Sequence, residues 1–323
     1  MKAMRAAEFG GPENLRLEDA PEPELRDGHV LIRVRATGIN PADLVRMSGR
    51  YPQRLPLPYI PGTDVAGEVE AVAADISHVS VGDRVFGRSI NGGGYAEKAC
   101  LPGPETIPLP DTLSFAEGAA IPVPFYTAYV AVHHKAQLKA GETVLVSAGG
   151  GGVGVAAVQL AKVCGARVIT TVGSADKAAR IQALGADSVI NYKTHDFAAE
   201  VRRLTDDRGV EVILENVAAD NLAQDFSALA RNGRIVLIGS GTAKAPEAAF
   251  MVGPALFKDA AIYGMALGNS ATHVPELARS LVPLFAAGQL KAVVHQTYPL
   301  AQAQRALGDL VASRVFGKLV LVQ

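Results

Sequence analysis

The sequence has few cysteines, almost no net charge and no long uninterrupted apolar run. Its two cysteines, Cys100 and Cys164, exclude a disulfide framework and a cysteine-rich metal site, and they indicate a reducing compartment. The 31 Lys and Arg residues nearly balance the 32 Asp and Glu residues, so the basic excess typical of nucleic-acid binders is missing. The longest apolar run, near 121–132, is interrupted by Pro122 and Pro124. We therefore expect a cytoplasmic protein with no membrane span and no nucleic-acid partner.

The length and the periodicity of apolar residues predict two domains. A chain of 323 residues is long for one hydrophobic core. From Leu15 to about Leu109, alternation such as that of Val30, Ile32 and Val34 is typical of β-strands. From about 123 onward, short apolar runs alternate with helical patterns, which predicts βαβ units and a parallel sheet covered on both faces. The predicted strands are 143–147, 167–172, 188–191, 210–214, 233–238 and about 260–265, and the predicted helices lie near 153–163, 175–184, 196–205 and 221–230.

The C-terminal tail, from about 267 onward, has a different pattern. It predicts a helix at 275–287, a strand at 293–298, a helix at 300–312 and a strand at 318–322. We expect this tail to return to the first domain. The predicted α/β fold therefore has a β-rich domain, 1–122 with 267–323, and a doubly wound domain, 123–266.

The segment TVLVSAGGGGVGVAAVQLAKVCG, 143–165, carries the strongest local signal. An apolar strand runs into a glycine cluster and then into an amphipathic helix. Ala148, Gly151 and Gly154 are spaced close to the G-x-G-x-x-G pattern of dinucleotide-binding turns. In such a turn, with Gly152 and Val153 opening the helix, free N–H groups at the helix start bind a pyrophosphate. A side chain at Gly151 or Gly154 would hold the pyrophosphate off the backbone or push the helix from its strand.

The end of the second predicted strand indicates which dinucleotide binds. NAD-specific sites place an acid there, on the ribose 2′-OH. This chain has Gly173 and Ser174 instead, with Lys177 in the following turn. A hydroxyl and an ammonium suit a 2′-phosphate, so NADPH is the predicted cofactor. Asp176 fits this reading less well, and its place in the first turn of a helix is explained by the helix dipole.

Several ordered motifs extend over nearly the whole chain. They are GINPAD at 38–43, PGTDVAG at 61–67, VGDRV at 81–85, GGYAE at 93–97, PFYTAY at 124–129 and GAD at 185–187. Together with the glycine turn, they resemble the medium-chain dehydrogenase/reductase superfamily and, within it, the zinc-free quinone oxidoreductase, or zeta-crystallin, family. The resemblance implies a GroES-like β-rich catalytic domain and a Rossmann cofactor-binding domain.

The resemblance also implies site residues. Asn40 is expected beside the nicotinamide and the substrate carbonyl, and Tyr51 at the mouth of the cleft, whereas Val45 replaces the family's other cleft tyrosine. The carboxyl ends of two predicted strands add further candidates, because ligands bind at that edge of a parallel sheet. With those of the turn and strand tip, the expected cofactor-binding residues are Asn40, Thr127, Gly151, Gly152, Val153, Gly173, Ser174, Lys177, Tyr192, Asn216, Gly239, Ser240, Met265, Ala266, Leu267 and Arg314.

The zinc ligands of related alcohol dehydrogenases are replaced in this chain. Those enzymes place a cysteine where this sequence has Asn40 and a His-Glu pair where it has Thr63 and Asp64. No metal site is therefore expected. Without a Lewis acid to stabilise an alkoxide, alcohol oxidation is not expected either, whereas a quinone or conjugated enone is already electrophilic.

The expected activity is NADPH-dependent reduction of a quinone or conjugated carbonyl. One alternative is a 2-enoyl reductase acting on a thioester or enone, for which Arg46, Arg50 and Arg54 would form a basic patch. A second is a non-enzymatic role, as a crystallin-like structural or RNA-binding protein. The sixth strand of the doubly wound domain, about 260–266, would pair edge to edge with a second copy, so a homodimer or homotetramer is expected.

Overall fold

The structure is a computed structural model that describes residues 1–53, 55–241 and 247–323. The chain divides into two compact units, Met1–Val123 with Ala271–Gln323, and Pro124–Ser270. No helix among the described residues has both the length and the apolar composition needed to cross a membrane.

The N-terminal part of the first unit is mainly β-structure. Its strands are β1 (Lys2–Ala6), β2 (Leu15–Asp19), β3 (His29–Gly38), β4 (Asp64–Val72), β5 (Arg84–Arg88), β6 (Lys98–Pro102) and β7 (Thr106–Pro108). Two short helices, α1 (Pro41–Met47) and α2 (Phe115–Gly118), interrupt the predicted run of strands. Each has an acid at its third position that bonds back to the residue capping the helix: Asp43 accepts from the N–H of Asn40, and Glu117 from that of Ser114.

The second unit alternates helices with parallel strands. It contains most of α3 (Pro122–Tyr129), then β8 (Thr143–Val146), α4 (Gly152–Val163), β9 (Arg167–Val172), α5 (Ala175–Gln182), β10 (Ser188–Asn191), α6 (Phe197–Leu204), β11 (Val210–Glu215), α7 (Ala218–Ala228), β12 (Leu229–Leu237), α8 (Val252–Phe257) and β13 (Ala261–Gly264). A π-helical segment, Val130–Lys135, follows α3. The strand order β10-β9-β8-β11-β12-β13 is that of a doubly wound nucleotide-binding sheet.

The tail adds α9 (Val274–Ala286), β14 (Val294–Pro299), α10 (Ala303–Val311) and β15 (Lys318–Val322). It completes the sheet of the first unit, because β15 pairs antiparallel with β3 and parallel with β14. The sheet order is β14-β15-β3-β4-β5-β7, with β6 also paired to β3. As predicted, Val30, Ile32 and Val34 alternate into the core of this sheet, where they pack with Val65 and Val85.

Three differences from the predicted elements have local causes. The helix expected near 221–230 ends at Ala228, because Leu229 already pairs with Val210 in the sheet. Helix α8 is absent from the prediction, since its apolar residues face outward and do not form a buried stripe. Helix α1 is only seven residues long and lies within a region of strong β-pattern.

Candidate active site

Three polar side chains form a buried cluster in the first unit. Asn40 precedes α1, Asp64 begins β4 and Lys318 begins β15. The Nζ of Lys318 donates to Oδ2 of Asp64 at 2.8 Å and also to Oδ1 of Asn40. The Nδ2 of Asn40 donates to the same Asp64 oxygen at 3.0 Å. A buried carboxylate is therefore neutralised by a buried ammonium, and the Asn40 amide is bonded to both.

These contacts fix the orientation of the Asn40 amide. An ammonium group only donates, so the amide oxygen must face Lys318 and the NH₂ must face Asp64. Asp64 is held in turn by the backbone N–H of Val123, which donates to its Oδ1 at 2.9 Å. The second hydrogen of Asn40 Nδ2 has no acceptor among the residues that the structure describes.

This cluster does not fit a zinc ion. Zinc in proteins is bound by thiolates, imidazoles and carboxylates, and of the three residues only Asp64 offers such a group. Its Oδ2 already accepts from Lys318 and Asn40. Within the cluster, the lysine ammonium supplies the positive charge beside the Asp64 carboxylate.

A second buried acid lies behind Asn40. Asp43 Oδ2 accepts from the backbone N–H of Asn40 at 2.8 Å and from the hydroxyl of Tyr95 at 3.0 Å. Burial raises the pKa of Asp43 to about 6, against the lowering effects of the Asn40 N–H and the Lys318 charge. This acid anchors the start of α1 and so positions Asn40.

Arg46, from the last turn of α1, packs next to this cluster. Its Nη1 donates to the carbonyl oxygen of Ile90 at 2.9 Å and to Oγ1 of Thr63 at 3.3 Å. Its Cζ lies 4.6 Å from the ring centroid of Tyr51, a cation–π contact. Tyr51, expected as a catalytic residue, is therefore placed beside an arginine. Val45 is exposed on the same helix. Of the basic patch considered above, Arg54 lies outside the described residues.

In the second unit, the glycine turn joins β8 to α4. Gly151 caps α4, and Gly152 and Val153 form its first turn, where backbone N–H groups lack helical acceptors. Ala148 has a φ of 50°, in the left-handed region that favours glycine. A Cβ added at Gly151 would meet only the Ala148 oxygen, at 3.5 Å, so the space above this residue is open to a ligand. The turn therefore fits a pyrophosphate.

The end of β9 carries a cluster of basic side chains. Ser174 caps α5, its Oγ accepting from the N–H of Lys177 at 3.3 Å, and the hydroxyl proton remains to be donated to a phosphate. Burial lowers the pKa of Lys177, and the nearby charges of Lys193 and Arg180 lower it further. Three cations that repel one another favour a dianion such as a 2′-phosphate. Asp176 is exposed and lies 4.0 Å from Arg180.

A polar network lies under the glycine turn, at the end of β11. Ser147 Oγ accepts from the backbone N–H of Asn216 and donates to Glu215, both at 2.7 Å. Asn216 Nδ2 donates to the carbonyl oxygen of Ser147 at 2.8 Å. Burial, with the charge of Glu215, raises the pKa of Asp225 to about 9. Neither Asp225 oxygen has a hydrogen-bond partner among the described residues, so burial of an unpaired carboxyl favours its neutral, protonated form.

The other expected cofactor residues of the second unit follow the strands of the same sheet. Tyr192 follows β10 and lies close to Gly173, since a Cβ at Gly173 would be 2.8 Å from its hydroxyl. Gly239 and Ser240 follow β12, whereas Met265, Ala266 and Leu267 follow β13. Thr127 is buried in α3. Arg314 is exposed and belongs to the first unit, between α10 and β15.

Sequence reasoning missed Lys318, Glu215, Asp225 and Lys193. Lys318 begins an apolar C-terminal strand, where a lysine is ordinarily a solvated strand end. Glu215 is likewise the last residue of an apolar strand, where an acid is ordinarily expected to face solvent. Asp225 lies on a helix whose other acid, Asp220, is exposed. Lys193 directly follows Tyr192, and a search for all cations near the end of β9 would have found it.

The fold and these sites define a class of protein, the two-domain oxidoreductases that use a dinucleotide. The family model described as "Alcohol dehydrogenase GroES-like domain" matches residues 26–111, and the one described as "Zinc-binding dehydrogenase" matches 152–285. A quinone oxidoreductase of Rattus norvegicus is 37% identical over 327 aligned residues, with 100% of this chain and 98% of the relative covered. The chain belongs to the quinone oxidoreductase family of the medium-chain dehydrogenase/reductase superfamily.

Solved structures agree with this assignment. The crystal structure of Escherichia coli quinone oxidoreductase complexed with NADPH has a TM-score of 0.92 at 29% identity, with 100% of both chains covered. A structure titled NAD-dependent alcohol dehydrogenase has a TM-score of 0.91 at 34% identity, also with 100% of both chains covered. The chain is thus similar to enzymes described with either nicotinamide cofactor.

Proposed function

We propose that this oxidoreductase uses NADPH to reduce a quinone or a conjugated carbonyl, without zinc. The observation that carries the proposal is the contact of Lys318 with Asn40 and Asp64. A lysine ammonium compensates the buried carboxylate, while an oriented amide keeps one N–H for an acceptor. These residues supply hydrogen bonding and not Lewis acidity.

The chemistry that a bound NADPH supplies is transfer of a hydride. The residues of the protein orient the acceptor and stabilise the charge that develops on its carbonyl oxygen. Asn40 donates its remaining amide hydrogen to that oxygen, and Lys318 polarises the amide from the other end. The oxygen then takes a proton from water. A conjugated acceptor spreads the negative charge, so one or two neutral donors suffice where an alkoxide would need a metal.

Two features support NADPH as the cofactor. The open space above Gly151 suits a pyrophosphate at the start of α4. The basic cluster of Lys177, Arg180 and Lys193, with the Ser174 hydroxyl, suits a 2′-phosphate at the end of β9. An acid that would hold the 2′-hydroxyl of NAD is missing at the tip itself.

The experiment that tests this function is an NADPH-oxidation screen. It compares ortho-quinones, para-quinones, enones, enoyl thioesters and simple aldehydes, and it includes alcohol oxidation with NADP⁺. We expect turnover with quinones or enones, negligible alcohol oxidation, and full activity in chelator with no stoichiometric zinc by elemental analysis. One zinc per chain, with activity lost when the metal is removed, would refute zinc independence.

The same screen separates the alternatives. Arg46, a cation packed near Asn40, favours a 2-enoyl reductase as the second candidate, and a strong preference for enoyl thioesters would establish it. The absence of turnover with every acceptor would favour a crystallin-like or RNA-binding role.

We further propose a cytoplasmic homodimer. Both cysteines are free, as expected in a reducing compartment. Strand β13 pairs only with β12 among the described strands, and Ile262 and Tyr263 on it are 40% and 41% exposed. Pairing of this edge with a second copy would remove an exposed strand edge.

A further inference from the structure

Arg46 is a half-buried cation that lacks an acidic partner. Its contacts are with the carbonyl oxygen of Ile90, the hydroxyl of Thr63 and the ring of Tyr51. In the part of the chain that the structure describes, no carboxylate lies within ion-pair distance of it. A partly buried guanidinium without a counter-ion is costly unless a ligand supplies the negative charge.

The two buried acids of this site pair with other groups. Asp64 accepts from Lys318, Asn40 and the backbone of Val123. Asp43 accepts from the Asn40 backbone and from Tyr95. Neither forms an ion pair with Arg46, so its charge is left for a ligand that binds beside Thr63.

The geometry of the guanidinium selects the kind of anion. The hydrogen bonds of Arg46 to other described residues use only Nη1, so no described residue accepts from the edge formed by Nε–H and Nη2–H. That edge presents two parallel donors, which match the two oxygens of a carboxylate. Tyr51 holds the plane of the group from one face, with Cζ 4.6 Å from its ring centroid.

The position of Arg46 links this anion site to the proposed chemistry. Its Nη1 bonds to Thr63, the residue before Asp64, and Asp64 Oδ2 holds the amide of Asn40. We propose that Arg46 binds a carboxylate on the acceptor, so that the preferred substrate is a quinone or conjugated carbonyl bearing an acidic side chain. The inference rests on the proposed function, because it names the class of acceptor for the same site.

The test compares acceptors that differ in charge alone. The probes are a para-benzoquinone with a propionate side chain, its methyl ester and its primary amide, since a saturated spacer leaves the quinone electronics nearly unchanged. We expect the parent protein to show a kcat/KM for the acid about tenfold or more above that for the ester and amide, as one charge-assisted bidentate contact is worth at least about 1.4 kcal/mol.

Variants assign that preference to Arg46. Arg46→Gln should bring the acid-to-ester ratio of kcat/KM close to one, and Arg46→Lys should restore only part of the preference for the acid. Arg26→Gln, an exposed arginine of the same unit, controls for the loss of one charge. Arg50→Gln, four residues along the chain, tests whether the charge acts as a diffuse patch.

The outcomes are separable. Equal kcat/KM for acid and ester in the parent protein, or equal losses in Arg46→Gln and Arg50→Gln, would overturn the assignment while leaving quinone reduction intact. If no quinone is reduced at all, the proposed function itself fails. If Arg46→Gln does not fold, the parent protein is tested with a ring-saturated analogue of the propionate probe, which cannot be reduced, and with its methyl ester. Inhibition by the acid but not by the ester would support the carboxylate site, and equal inhibition by both would overturn it.

Discussion

At the scale of single residues, the candidate site depends on contacts between side chains far apart in sequence. Lys318 and Asp64 are 254 positions apart, yet they form a buried ion pair with Nζ and Oδ2 2.8 Å apart. Gly38 makes room for the lysine, because a Cβ there would lie 2.8 Å from its Cε. The pair holds the Asn40 amide in one orientation, so a change at any of the three should alter the others.

Replacing Lys318 by Met should destabilise the protein by about 3–5 kcal/mol, because the Asp64 carboxylate would stay buried without its cation. The double variant Asp64→Asn/Lys318→Met removes both charges and should recover most of that loss. Denaturant unfolding of the parent, the single and the double variant measures the effect. A Lys318→Met protein as stable as the parent would show that the ion pair contributes little.

Lys177→Ala should weaken NADPH binding by about tenfold or more and leave NADH binding nearly unchanged, since NADH has no 2′-phosphate for the ammonium. Added salt should reduce the NADPH preference more in the parent than in the variant, because a partly exposed ionic contact is screened. Titration of both cofactors into both proteins measures this. Equal losses for the two cofactors would mean that Lys177 supports the local fold and does not bind the phosphate.

At the scale of elements, the glycine turn assigns different tasks to two glycines. A Cβ at Gly151 would meet only the Ala148 oxygen, at 3.5 Å, whereas one at Gly154 would lie 2.3 Å from that oxygen and 2.7 Å from the Gly149 Cα. Gly151 therefore leaves space for a ligand, and Gly154 lets α4 pack on the turn.

Gly151→Asp should abolish measurable NADPH binding with little change in Tm, because its carboxylate occupies the place of the pyrophosphate. Gly154→Ala should instead lower Tm, since a methyl group would push α4 from the turn. Calorimetry and cofactor titration on both variants separate the two roles. Unchanged NADPH affinity in Gly151→Asp would make the turn a simple connector.

The buried acids of β11 and α7 give the second unit a pH dependence. The pKa of Asp225 is about 9, above the 3.8 of an unburied Asp, so the folded state binds this proton more tightly than the unfolded state. Its contribution to stability is therefore greatest at low pH and declines as the pH rises toward 9, by at most about 1.4 kcal/mol per pH unit for one proton. Asp225→Asn, which is close in size and cannot ionise, should flatten that decline.

Thermal melts of the parent and Asp225→Asn between pH 6 and pH 9 test this expectation. Asp220→Asn, an exposed acid on the same helix, is the matched control and should melt like the parent. Parallel pH profiles for the parent and Asp225→Asn would mean that Asp225 is ionised in the folded protein across this range.

The elements were largely predictable from the sequence, because apolar periodicity is a local property. All six strands of the second unit were predicted, and the strand tip was recognised from the adjacent Gly173, Ser174 and Lys177. The buried charged residues could not be predicted, since nothing near Lys318 or Asp225 in the sequence identifies a partner. Short helices such as α1 were not predicted either, because seven residues give too few turns to show a helical period.

At the scale of the whole molecule, the apolar surface on α8 and β13 remains to be covered. Phe257, Leu256 and Val252 on α8 are 77%, 67% and 70% exposed. They lie on the helix that directly precedes the edge strand β13, and exposed apolar residues together with an open strand edge indicate a protein interface. A two-fold axis at this edge would join two six-stranded sheets into one and would cover the same residues of both copies.

The parent protein should accordingly have a mass in solution of at least twice the 33.6 kDa of one chain, as light scattering after gel filtration would measure. Phe257→Glu would place a charge in the proposed interface, so it should shift the protein toward the monomer. The melting temperature of the monomeric chain itself should change little, because Phe257 is exposed in a single chain. Val81→Glu, at an apolar residue of the first unit that is 68% exposed, is the matched control and should leave the mass of the assembly unchanged. A monomeric parent at micromolar concentration would refute the dimer, and an assembly that survives Phe257→Glu would place the interface elsewhere.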